Sequence, residues 1–115
     1  MNFDKREPEA ALALYEQVAA DIRRAIAEGE AGPGERLPLA KDIATVLGVN
    51  TNTVLRALHV LRDEGLIDMR RGRGIWVTGT PERGAVLSKA HEFVQLARQH
   101  GYRTDEILEL VHAAT

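Results

Sequence analysis

Between Leu39 and Val77 the chain carries two short amphipathic segments separated only by Gly48-Val49-Asn50, followed at once by two strand-like segments around an Arg-Gly-Arg-Gly tip. So short a connection obliges consecutive helices to pack as a corner, and a glycine in the turn is the usual mark of a helix-turn-helix. The segment Leu39 to Leu47 turns Ile43, Ala44 and Leu47 inward and ends at Gly48. The following segment starts at Asn50, a good N-cap, and repeats Val54, Ala57, Leu58 and Leu61 at helical spacing until Gly65 stops it. Asn52, Arg56 and His59 fall opposite that stripe. Leu66 to Met69 and Ile75 to Thr78 have strand character, so DMRRGRGIWV, residues 68–77, predicts a β-hairpin with a basic, glycine-bearing tip.

The flanks complete an architecture. From Pro8 to Glu28, Leu12, Tyr15, Ala19, Ile22 and Ile26 recur at spacings of three and four, predicting a long first helix that Gly29 and Gly32-Pro33-Gly34 end. Glu35 to Pro38 is too short for a helix and suits a single edge-strand pairing. Beyond Thr80, Val86, Ala90, Phe93 and Ala97 mark a fourth helix ended by Gly101. Thr104-Asp105-Glu106 caps a fifth that carries Ile107, Leu108 and Val111. Neither tail helix is long enough for a core of its own, so both need a partner surface. The expected fold is mainly α (α+β): a winged helix-turn-helix over residues 1–79 with a two-helix C-terminal extension over 80–115.

Composition narrows the function classes. The chain has 115 residues, no cysteine and a net charge of -2, which leaves no disulfide framework, thiolate nucleophile or Cys-type zinc site. Its start, MNFDKREPEA, lacks the apolar core of a secretory signal and no run is long enough for a membrane span. A cytoplasmic location and no membrane partner are expected. The charge is uneven: Lys and Arg against Asp and Glu number 4 and 8 over residues 1–35, 7 and 4 over 36–76, and 4 and 5 over 77–115. Only the central segment is net positive, as a polyanion-binding face requires.

Residues 15–77 resemble the DNA-binding domain of the GntR family of bacterial transcriptional regulators. The resemblance is carried by Pro33-Gly34, Leu37-Pro38, Gly48-Val49, Thr53-Val54, Ala57-Leu58, Glu64-Gly65-Leu66 and Gly72-Arg73-Gly74. The 38 residues after Val77 cannot hold the large effector domain of many members, and the two-helix tail resembles instead the YtrA-like branch. The resemblance implies a homodimer built by Val86, Ala90, Phe93, Ala97, Ile107, Leu108 and Val111, an inverted-repeat operator in double-stranded DNA, and a regulator that represses by occluding a promoter. A small-molecule effector of unidentified chemistry is compatible with it. Leu39 stands where the family commonly has Ser, so a helix cap and a possible phosphate contact are missing there; Thr51 stands where many members have Arg, so the base preference of the Arg-bearing members does not transfer.

The residues themselves assign roles. Asn52 suits a bidentate pairing with adenine in the major groove, and Arg56 suits either guanine or a phosphate. Thr51 and Thr53 suit phosphate contacts through hydroxyls and amides at a helix start. His59 lies further along the same face. Gly72 and Gly74 let the hairpin tip approach a backbone closely, while Arg71 and Arg73, with Arg70 beside them, neutralise phosphates or enter a minor groove. A phosphate-binding glycine loop would lead into a helix, whereas this one leads into Ile75-Trp76-Val77. An arginine/glycine RNA segment would be repeated, and this one is single. Trp76 is expected to pack at the hairpin base. Enzymatic readings have little support: Ser88 is the sole serine, inside a predicted helix, and His59, His91, His100 and His112 show no metal-ligand spacing. No cofactor and no metal site are expected. The competing classes are a winged helix used only for protein contacts, which leaves the basic tip without purpose, and a site assembled across a dimer.

Overall fold

In the computed structural model, which describes residues 12–115, the element order is α1 (Leu14–Ala27), β1 (Arg36–Leu37), α2 (Ala40–Leu47), α3 (Thr51–Asp63), β2 (Ile67–Arg70), β3 (Gly74–Val77), α4 (Pro81–Gln99) and α5 (Thr104–Ala113). The strands form one antiparallel sheet in the order β1-β3-β2. Ile67 pairs with Val77 and Arg70 with Gly74 along the hairpin, and Arg36 opposes Trp76 on the other edge. This is a winged helix-turn-helix with two further helices.

One core joins these elements. Val18, Ala19 and Ile26 of α1, Ala44 of α2, Val54, Ala57, Leu58 and Leu61 of α3, and Leu66, Ile67, Ile75 and Val77 of the hairpin are all buried. Each large apolar side chain among them contributes about 1.5–3 kcal/mol by leaving water. The stripe expected on α3 is thus the helix's buried face. Tyr15 and Ile22 of α1 and Trp76 of β3 are half-buried.

Three expectations need correction. The first helix begins later than expected: Leu12 and Ala13 are described and non-helical, and Glu16 closes the helix start by accepting from the Ala13 amide at 3.1 Å. Residues 8–11 of the expected helix lie outside the described residues. Leu47 is exposed rather than inward, because the chain leaves α2 immediately after it, through Gly48 at φ 71°, and the contact with α3 is made one turn earlier. Thr104 does not cap α5. Arg103 is the capping residue, its amide donating to Glu106 at 2.8 Å, while the Thr104 hydroxyl accepts from Arg98 at 2.9 Å.

α4 is capped by Thr80, whose hydroxyl accepts from the Arg83 amide at 3.2 Å, with Pro81 in the first turn where its missing N–H costs nothing. It lies along α1. The contact is close because Gly84 is buried there: a Cβ at that position would meet the Ala27 amide nitrogen at 3.1 Å and Ile26 Cγ2 at 3.2 Å. Glu64, at the end of α3, fastens the three helices together. Its carboxylate accepts from Arg23 of α1 at 2.9 and 3.1 Å and lies 2.6 Å from His91 Nε2 of α4. Its carbonyl accepts from Arg83 Nε at 2.9 Å. Arg23 is a fully sequestered charge at 2% exposure, and His91 is an interhelical contact rather than a free surface group.

Candidate nucleic-acid interface

The outer face of α3 is set by its buried one. With Val54, Ala57, Leu58 and Leu61 held in the core, Asn52, Arg56 and His59 are left exposed on the opposite side. The helix start is fixed by Asn50, whose side-chain oxygen accepts from the Asn52 amide at 2.7 Å. The Thr53 amide bonds back to the Asn50 carbonyl at 3.0 Å. The Asn52 and Thr53 amides are therefore already used, which leaves the Thr51 amide and the hydroxyls of Thr51, which is exposed, and Thr53, which is half-buried, for contact with an anion. Leu39, at the N-cap of α2, makes no side-chain hydrogen bond to its first turn, the expected consequence of an apolar residue at a capping position.

Arg56 is not an untethered cation. Its guanidinium carbon lies 3.9 Å from the centroid of the Tyr15 ring on α1. His59 points instead toward the hairpin, sharing with Leu55, Arg62, Met69, Arg70 and Arg71 a groove between α3 and the wing.

The wing tip is the three-residue turn Arg71-Gly72-Arg73, closed by the Arg73 amide donating to the Arg70 carbonyl at 2.9 Å. Gly72 at φ 78° and Gly74 at φ 102° both occupy the left-handed region, which explains the glycine spacing. Arg71 and Arg73 are exposed and make no ion pair among the described residues. Arg70 differs, being partly compensated by Asp68 at 3.5 Å.

Two cations escaped sequence reasoning. Arg36 reaches across from β1 so that its guanidinium donates to the Arg73 carbonyl, placing another positive charge at the wing. Pairing β1 against β3 is what brings it there, and no local pattern encodes that. Arg62 was within reach, three residues beyond His59 on the wing-facing side of the same helix.

The tail residues divide. Ala97 and Ile107 are buried within the chain, each at 5% exposure, and so do not belong to a face available to another subunit. Val86, Ala90, Phe93, Leu108 and Val111 are exposed, and Leu96, Tyr102 and Leu110 are further exposed apolar side chains of the tail. The apolar stripe of the fourth helix therefore faces outward, whereas the side packed on α1 runs through Gly84, Leu87, Ser88 and His91 and has little hydrophobic character. α5 has no extensive packing against any other element.

A buried-stripe third helix with a polar outer face, beside a short hairpin tipped with exposed arginines, defines the winged helix-turn-helix class. The chain belongs to the gntR family of bacterial regulatory proteins, whose model matches residues 14–77. It is 33% identical over 83 residues to the HTH-type transcriptional repressor YtrA of Bacillus subtilis, which covers 72% of this chain and 64% of that repressor. The chain thus spans just under two thirds of that relative's length. A GntR family transcriptional regulator from Listeria monocytogenes has the same fold with a TM-score of 0.61 at 26% identity, covering 96% of this chain and 98% of that one. The AraR DNA-binding domain in complex with operator ORX1 matches with a TM-score of 0.59 at 27% identity, over 67% of this chain and 93% of that one. Among the described residues no helix is long and apolar enough to cross a membrane, and no group of His, Asp and Glu side chains could hold a metal ion.

Proposed function

We propose that this chain is a sequence-specific DNA-binding transcriptional regulator, cytoplasmic and not an enzyme, that binds an inverted-repeat operator as a homodimer and represses by occluding a promoter. The observation that carries the reading is the shared exposure, on one side of the molecule, of the outer face of α3 and the arginine-tipped wing. A helix of this size fits the major groove with its first turns at base edges, which assigns Asn52 and Arg56 to bases and Thr51 and Thr53 to phosphates. Arg71 and Arg73 reach the adjacent minor groove or backbone, with Arg36 and Arg62 adding to the positive field. Residues 1–79 form the DNA-reading part and 80–115 the dimerising part, even though α4 is packed on α1. The exposed apolar side of α4 and α5 is the surface we assign to the second copy, since an unpartnered face of this kind marks an interface and a two-fold contact is the commonest closed solution. An open cleft of about 380 Å³ between α1, α3 and α4, lined in part by Ala19, Val60 and Val94, is the place we assign to a small-molecule effector.

Two substitutions test the DNA reading. Asn52→Ala is expected to weaken the preferred operator by roughly 1–3 kcal/mol while changing random-DNA affinity little, because only a base contact is lost. Equal losses on both would reassign Asn52 to the backbone. Arg71→Ala with Arg73→Ala is expected to lower affinity on any sequence and to flatten the log–log salt dependence by about one per lost phosphate contact. Titrations at several salt concentrations read this directly, and an unchanged slope would leave the wing as a solvated turn.

A further inference from the structure

The stacking of Arg56 on Tyr15 joins the recognition helix to a residue outside the helix-turn-helix. Tyr15 sits in the first turn of α1, half-buried against the core, with its ring centroid 3.9 Å from the guanidinium carbon of Arg56. Arg56 is otherwise exposed and, among the described residues, makes no ion pair. An arginine with nothing to hold it has a long, freely rotating side chain, and ordering it on binding DNA costs affinity. A ring under one face of the guanidinium removes part of that cost in advance.

The geometry leaves the arginine able to bind. Stacking engages the face of the planar group, whereas its N–H donors lie in the plane at its edge and remain free for a base or a phosphate. The ring is also held more firmly than the arginine, since Tyr15 packs against the buried cluster while Arg56 projects outward. Orientation therefore passes from α1 to α3. We propose that Tyr15 is a positioning residue for DNA recognition: its ring pre-sets the Arg56 guanidinium, so the first turn of α1 contributes to sequence discrimination without itself reading a base. This rests on the assignment of α3 as the recognition helix.

The test is a double-mutant cycle on the full chain, measuring affinity for the operator selected by the unaltered protein and for random duplex. Tyr15→Leu keeps an apolar side chain against the core but removes the ring, and Tyr15→Phe keeps the ring and removes only the hydroxyl. Tyr15→Leu should reduce the operator-to-random ratio about 2- to 5-fold, the range of an exposed cation–π contact. Tyr15→Phe should leave the ratio unchanged. On an Arg56→Ala background, Tyr15→Leu should have no further effect on the ratio. Thermal melts of each variant, with both affinities expressed per folded molecule, separate loss of fold from loss of discrimination. Equal effects of Tyr15→Leu with and without Arg56, an unaltered ratio in Tyr15→Leu, or a loss in Tyr15→Phe as large as in Tyr15→Leu would each overturn the positioning role. If Arg56→Ala itself keeps the full ratio, the inference fails while DNA recognition stands. If the unaltered protein shows no preference for any sequence, the functional reading fails with it.

Discussion

Glu64→Ala is expected to lower folding stability by about 3–5 kcal/mol, because it strands Arg23 as an uncompensated charge in the core. Arg23 is 2% exposed and both of its hydrogen bonds to Glu64 are lost at once. The His91 contact from α4 is lost as well. Removing both charges should be milder: Arg23→Met with Glu64→Leu leaves no buried ion and is expected to cost much less than Glu64→Ala alone. Urea denaturation of the two variants beside the parent measures this. A loss below about 1 kcal/mol for Glu64→Ala, at the level of an exposed pair, would show that the junction of α1, α3 and α4 is not held in this way.

Charging the apolar side of the tail should have the largest effect on DNA binding. Phe93→Glu with Leu108→Glu is expected to give a folded monomer whose affinity for an intact inverted repeat falls about 10²- to 10⁴-fold, while affinity for an isolated half-site stays the same. In a dimer, docking one recognition helix holds the second at high effective concentration near its own half-site, and only that gain disappears. Both residues are exposed within the chain, Leu108 at 64%, so the substitutions should leave the monomer fold intact. Sedimentation, with titrations on half and full sites, gives the answer. A variant that remains dimeric would move the interface elsewhere.

Local and near-local features were legible in the sequence. The spacing of Val54, Ala57, Leu58 and Leu61, the stop at Gly65 and the two glycines of the wing each follow from short-range rules, and the helix-turn-helix and hairpin follow from them. Contacts between distant segments were not. Arg23 and Glu64 are 41 residues apart, and no periodicity marks an arginine on an apolar helix as the partner of a glutamate at the end of another. The inner side of α4 was hidden for a different reason: Gly84, Ser88 and His91 permit close packing and a polar contact without hydrophobic character, so the visible stripe was the one left facing outward. Ala97 lies on that stripe yet is buried, as is Ile107, and helical spacing alone does not distinguish them from their exposed neighbours. For the interface, polar residues opposite the α3 stripe could be placed from a helical wheel. Arg36 required the β1–β3 register, and the tether on Arg56 required knowing where α1 lies.

The central claim, that α3 and the wing together read a duplex, is tested most directly by selecting bound sequences from a random double-stranded DNA pool with the full chain. Enrichment of an inverted repeat is expected, with half-site centres one helical turn or a multiple apart, about 10 base pairs for one turn. Asn52→Ala should relax specific positions within each half-site, whereas loss of Arg71 and Arg73 should weaken binding without rewriting the repeat. Recovery of no common sequence, or of an unpaired single site bound equally well by the Asn52→Ala variant, would contradict it.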